Sequence, residues 1–250
     1  MADKKWTILL VNDDGIQSDG LVRLAAEAAK WGEVWVVAPD GQRSACSHSL
    51  TIDAPLDVLP YSFPVEGVHA YSCSGLPTDC VRVGLFGDLM PGKPDVVFSG
   101  INNGFNAGTD IQYSATVGAA LDAAMCGFPA IAFSEGFRAD PRESGFGHVV
   151  TDAYLSKVVA ELLNEDLVPG QVLNVNFPDC PVESCKGILR NRRLSMQNPF
   201  VDVYKKAEDL PDGGFRYTIH WVDRDHADEG TDLRAILDDY VAIGVVNNIS

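Results

Sequence analysis

The 250-residue chain is predicted to be α/β, with a doubly wound, mostly parallel sheet and a β-hairpin projecting near the C-terminus. Two observations predict the sheet. Short β-branched apolar runs alternate with longer segments of helical period, the pattern of buried strands joined by crossover helices. Polar, glycine-containing loops follow the runs directly, as they do at the ligand-binding edge of such sheets. A third observation predicts the hairpin: after about residue 189 the helical period gives way to two β-like stretches around a turn.

The first unit is Thr7–Val11 (strand), Leu21–Lys30 (helix, with Leu21, Leu24, Ala25 and Ala28 on one face) and Val34–Ala38 (strand). Ser49–Leu59 and Gly67–Ser72 read as an inserted strand pair, and Pro77–Phe86 as a short helix. The alternation resumes with Asp95–Phe98 (strand), Ser114–Met125 (helix), Ala130–Phe133 (strand), Val149–Leu163 (helix) and Val172–Val175 (strand). Met196–Lys205 and Phe215–Val222 flank Leu210-Pro211-Asp212-Gly213-Gly214, a turn sequence favouring a hairpin over 190–225. Tyr240–Val246 reads as a final strand. The expected division is a catalytic core over 1–189, then a hairpin and tail over 190–250 that serve oligomerisation.

Composition narrows the function. With 35 acidic against 19 basic residues the net charge is -16, which disfavours a polyanionic nucleic-acid partner. The six cysteines form no C-x-x-C pair, as expected of reduced thiols in a cytoplasmic protein. The opening residues read as neither signal peptide nor anchor, and no stretch has the length of an apolar membrane span.

Chemistry is concentrated after the strands. Asn12-Asp13-Asp14-Gly15 follows the first, Pro39 to Ser44 the second, Ser99 to Gly108 the next, and Ser134-Glu135-Gly136 another. Adjacent carboxylates point to opposite faces of a regular strand, so Asp13 and Asp14 converge only where the strand ends, and Gly15 permits that turn. Two such carboxylates favour a cation; a helix-capping turn is the alternative. Ser44 and Asn102 complete an all-oxygen set suited to Mg²⁺, Mn²⁺ or Ca²⁺ rather than zinc. The glycine-rich stretch matches neither a dinucleotide fingerprint nor a P-loop. It offers Asn102 and Asn106, then Ser114 and Thr116 at a helix start, where a phosphate or simple capping by Ser114 is expected. A metal beside a helix N-terminus suits hydrolysis of a phosphate ester by metal-activated water.

The segments ILLVNDDGIQSDG (8–20), VVAPDGQRSACSHSLT (36–51), SGLPTDCVRVGL (74–85), PDVVFSGINNGFNAG (94–108), YSATVGAALDAA (113–124) and LNVNFP (173–178) resemble the SurE family of survival proteins, metal-dependent 5'/3'-nucleotidases. The resemblance implies a Rossmann-like fold and one divalent ion per subunit, Mg²⁺ or Mn²⁺, on Asp13, Asp14, Ser44 and Asn102. It places Asn12, Asn106, Ser114 and Thr116 around the phosphate of a nucleoside monophosphate, with Asp13 or Asp14 orienting the water. It also implies homodimers, or tetramers, built with the C-terminal hairpin. Gly41 and Ala115 depart from the residues common in the family and bear on substrate preference. Two other classes compete. A receiver-like signalling domain would need an aspartate where Ser99 stands and a lysine after the following strand. A haloacid-dehalogenase-like phosphatase would need its two aspartates separated by one residue.

Overall fold

The computed structural model describes residues 5–136, 147–165 and 167–247. β1 (Trp6–Val11) lies within a nine-stranded sheet, and its Ile8, Leu9, Leu10 and Val11 are wholly buried. Ile8 and Leu10 join the apolar layer on one face, Leu9 and Val11 that on the other. A strand covered on both sides must be apolar at every position, so ILLV shows no alternation. Each such side chain contributes about 2 kcal/mol through burial.

From β1 the sheet grows in two directions. On one side lie the parallel strands β2 (Gly32–Pro39) and β4 (His69–Cys73), then the antiparallel edge strand β3 (Val58–Pro60). On the other lie β5 (Val96–Asn103), β6 (Ala130–Glu135) and β7 (Val172–Phe177), all parallel. Helices α1 (Asp19–Ala28) and α4 (Val149–Leu163) cover one face, α2 (Pro77–Phe86) and α3 (Ala115–Met125) the other. This is the doubly wound arrangement that the alternation predicted.

The chain runs outward from β1 to β2 and then crosses back to β5, so the order of connection reverses between β1 and β5. Loops leaving neighbouring strands diverge at such a point and open a crevice at the carboxyl ends of the strands. Everything described below as a site stands at that crevice.

Three local differences have physical causes. Of the stretch 49–59 only Val58 and Leu59 fall in a strand, β3, because Pro55 interrupts it and the Thr51 N–H goes to the Asp79 carboxylate (3.0 Å) instead of a ladder. The hairpin forms as β9 (Phe200–Asp209) and β10 (Phe215–Asp223), starting after Pro199 and separate from the main sheet. After it the chain returns to the core: α5 (Asp232–Leu237) leads into β11 (Val241–Val246), antiparallel to β7, with β8 (Ile188–Leu189) beside it. The buried Asp232 secures this return by accepting N–H bonds from Gly108, Ser195 and Leu233, each 2.8 Å long. Residue 189 thus marks where the chain leaves the sheet, and β11 is where it re-enters.

Candidate active site

The turn after β1 is built to hold two carboxylates. Gly15 takes φ +99°, and a Cβ there would stand 3.2 Å from the Gly41 carbonyl carbon, so only glycine lets the turn pass under the β2 loop. Asn12 braces the turn by donating to Gly15 O (3.0 Å) and Ser18 Oγ (2.7 Å), while Ser18 caps α1. The Arg43 N–H donates to Asp13 O at 2.7 Å, which pins the Ser44 loop alongside. Gly20 lets α1 approach the end of β5, since a Cβ there would lie 2.2 Å from Ile101 O.

Asp13 is the centre. It is buried, at 3% exposure, and its Oδ1 accepts the Thr116 hydroxyl at 2.5 Å. The Thr116 Oγ1 also lies 3.3 Å from Asn102 Oδ1. Asn102 gives its amide nitrogen to Gly104 O at 2.8 Å, so its oxygen is the atom turned toward Thr116 and Asp13. Asp14 is less buried and accepts the Asn103 N–H at 3.2 Å. Elements β1, β5 and α3 therefore converge on one point, where the chain reverses its direction of winding.

Burial drives the electrostatics here. Desolvation pushes Asp13 from 3.8 up to about 7, against the Thr116 hydroxyl that pulls it down, with the Asp14 charge adding to the rise. Asp14 is also raised, chiefly by burial, with the Asn103 N–H opposing and the Glu135 charge adding. Among the described residues no Lys, Arg or His forms an ion pair with either carboxylate. Arg43 is taken by Asp40 (2.8 Å), and Arg23 joins Glu135.

The other expected residues divide into two groups. Ser114 caps α3 by accepting the Val117 N–H at 3.0 Å, which leaves the first N–H groups of α3 facing the Asp13 end. Ser44 is exposed in the β2 loop, its Oγ accepting from Gln42 Nε2 at 3.0 Å. Asn12 and Asn106 stand apart from the carboxylates in their bonding. The amide nitrogen of Asn12 is committed to the turn. Asn106 donates to Ser134 Oγ (2.8 Å), its N–H donates to Asn176 Oδ1, and its carbonyl accepts from Asn174 and Asn176. It ties the glycine-rich loop to β6 and β7.

One feature of this edge escaped the sequence. Glu135 ends β6 buried beside Arg23 of α1 and His148, whose Nδ1 lies 2.7 Å from it. The strand-end position of Glu135 is visible in the sequence, but its partners, Arg23 of α1 and His148 at the cap of α4, are brought to it only by the fold.

The donor set fits a hard divalent cation. Two carboxylates are forced together in a buried place without a counter-charge, beside the oxygens of Asn102 and Thr116. Among the described residues no group of three or more His, Cys, Asp or Glu is arranged to hold a metal ion, so the set is two carboxylates plus neutral oxygens, unlike a zinc site.

The chain is 40% identical over 239 residues to the 5'-nucleotidase SurE of Pelobacter propionicus, covering 94% of this chain and 91% of that one. It is 39% identical to the proteins of the same name from Clostridium botulinum (over 236 residues) and Aeromonas hydrophila (over 242), in each case 94% of this chain and 90% of the relative. The crystal structure of the SurE protein from Aquifex aeolicus superposes with a TM-score of 0.79 at 36% identity, covering 96% of this chain and 93% of that one. The family described as survival protein SurE matches residues 8–198, and the chain belongs to that family.

Proposed function

We propose that the protein is a divalent-metal-dependent phosphomonoesterase that hydrolyses nucleoside 5'-monophosphates, and 3'-monophosphates as well, to nucleoside and phosphate. The observation that carries this reading is the convergence of Asp13, Asp14, Asn102 and the N-terminus of α3 at the sheet's switch point. The names of the relatives support the substrate class. A single Mg²⁺ or Mn²⁺ on Asp13, Asp14, Asn102 and Ser44 would supply Lewis-acid polarisation of the phosphoryl group and a more acidic water.

The remaining chemistry belongs to the chain. The first N–H groups of α3, with the Ser114 hydroxyl, offer donors to the charge that builds on the equatorial phosphoryl oxygens. Asp14, the more accessible carboxylate, is placed to orient the attacking water and take its proton. Thr116 holds Asp13 in its rotamer. Asn12 and Asn106 shape the pocket from behind by fixing the turn and the glycine-rich loop. Neither competing class fits: Ser99 stands where a receiver needs its acceptor aspartate and donates to Thr116 O at 2.7 Å, and Asp13 and Asp14 are adjacent.

The hairpin supports a homodimer. Tyr204, Tyr217, Ile219 and Val222 are each at least half exposed, on a two-stranded ribbon that is marginal alone. The six free cysteines support a reducing compartment, the cytoplasm. Among the described residues no helix is long and apolar enough to cross a membrane. Phosphate release from a panel of nucleoside 5'- and 3'-monophosphates, measured in EDTA and after restoring Mg²⁺ or Mn²⁺, tests the activity. Full turnover after exhaustive chelation would overturn it.

A further inference from the structure

Beside the candidate active site lies a cleft of about 530 Å³, a volume suited to a small organic ligand. Two of its lining residues are chain neighbours of site residues, one in each of two separate segments. Ala45 on its rim follows Ser44 of the β2 loop, and Tyr113 immediately precedes Ser114, the cap of α3. Its far wall is the root of the hairpin, where Asp202 and Trp221 are direct cross-strand partners and so present their side chains on one face. Asp110, whose carboxyl accepts a hydrogen bond from Asn198, completes the wall. The lining residues include no Lys, Arg or His, so the cleft is anionic; of its three aromatic side chains, Tyr113 and Trp221 are more than half exposed and Phe200 is less so.

We propose that this cleft is the nucleoside subsite and that Asp110 and Asp202 select guanine; the inference rests on the nucleotidase reading above. The chemistry follows from what the walls can recognise. Tyr113 and Trp221 offer faces on which any base stacks, which gives binding without discrimination. The carboxylates discriminate. Guanine presents N1–H and N2–H₂ side by side, a donor pair that one carboxylate oxygen pair accepts in parallel. Uracil presents one N–H between two carbonyls, whose lone pairs face the same negative charges. Adenine and cytosine each place an acceptor beside their amino group. Partial burial, with the Asp202 charge adding, pushes Asp110 up to about 6, as expected where the two carboxylates share one field. That field also repels the phosphate, leaving it at the α3 end of the substrate path.

Two measurements on the full-length protein test this. First, kcat/KM is compared for GMP, AMP, CMP and UMP in the Mg²⁺-loaded enzyme, with para-nitrophenyl phosphate as a substrate lacking a base. GMP is expected to exceed UMP by about tenfold or more. Asp202→Asn, on an exposed strand, and Asp110→Asn should each shrink that ratio to within about threefold. Second, guanosine is titrated into metal-free protein while tryptophan fluorescence is followed, with uridine as control. Guanosine is expected to quench the wild type and to lose that effect in Trp221→Leu. Metal-dependent turnover of para-nitrophenyl phosphate with equal kcat/KM for the four nucleotides would overturn the subsite while leaving the phosphatase reading intact. A GMP preference that survives Asp202→Asn, or guanosine quenching that survives Trp221→Leu, would also overturn it. Absence of turnover on every substrate would overturn the phosphatase reading itself, and the fluorescence titration would still decide the subsite.

Discussion

Replacing Asp13 by Asn should make the metal-free protein more stable while abolishing turnover. Asp13 is 3% exposed, and burial raises its carboxyl from 3.8 to about 7. The folded state thus holds this proton more tightly than the unfolded chain. Its stabilising effect is complete below about pH 4 and is lost as pH climbs toward 7. A shift of that size corresponds to about 4 kcal/mol once the group is ionised. Asn keeps the shape and an oxygen that accepts the Thr116 hydroxyl, and it removes the buried charge. Relaxation around the wild-type carboxylate lowers the difference, so Asp13→Asn should gain roughly 2 to 4 kcal/mol at pH 8 in EDTA, or about 5 to 15 °C in Tm for a chain of this size. Thermal unfolding followed by circular dichroism at pH 8 and pH 5 checks this. The gap should shrink by about half or more at pH 5, and saturating Mg²⁺ should raise the Tm of wild type alone. A variant less stable than wild type at pH 8, or a gap independent of pH, would refute the argument that Asp13 is a buried charge awaiting a cation.

Other consequences follow from the same geometry. Asp14→Asn should lose nearly all turnover at saturating Mg²⁺, whereas Ser44→Ala, which removes a neutral and exposed oxygen, should be milder and partly rescued by excess metal; steady-state kinetics over a metal titration separates them. Gly20→Ala should cost about 1 to 3 kcal/mol in chemical denaturation, because its Cβ would meet Ile101 O at 2.2 Å; an unchanged midpoint would contradict the close packing of α1 on β5. Light scattering at micromolar concentration should return twice the 27.0 kDa of the chain, and a deletion of 190–225 that remains folded and dimeric would remove the hairpin from the contact.

Much of the fold was legible because its strands are buried on both faces. ILLV in β1 and VVF in β5 are apolar without interruption, and such runs between helical stretches leave few alternatives to a parallel sheet. The paired carboxylates were legible for a related reason: Asp13-Asp14-Gly15 stands where an apolar run stops, and strand ends are where these sheets bind ligands. What stayed hidden depends on partners far away in sequence. Val241–Val246 has strand propensity, but nothing local says that it pairs antiparallel with β7 or that Ile188–Leu189 joins it. The six-residue α5 is too short for its period to register. Asn106 reads in the sequence as a loop side chain facing a ligand, and only the fold adds the bonds to Ser134, Asn174 and Asn176 that anchor the loop. Thr116 carried the same signal as any hydroxyl at a helix start, and only the fold brings it to Asp13 across 103 residues.

Asp13 and Asp14 together should bind one catalytic divalent ion. Isothermal titration of Mn²⁺ into EDTA-stripped protein, run beside phosphate release from GMP at the same metal concentrations, tests it most directly. Wild type should bind one ion per chain, with turnover that rises in proportion to occupancy, and Asp13→Asn and Asp14→Asn should show neither binding nor turnover. Wild-type stoichiometry and affinity retained in both variants, or turnover at zero occupancy, would contradict it.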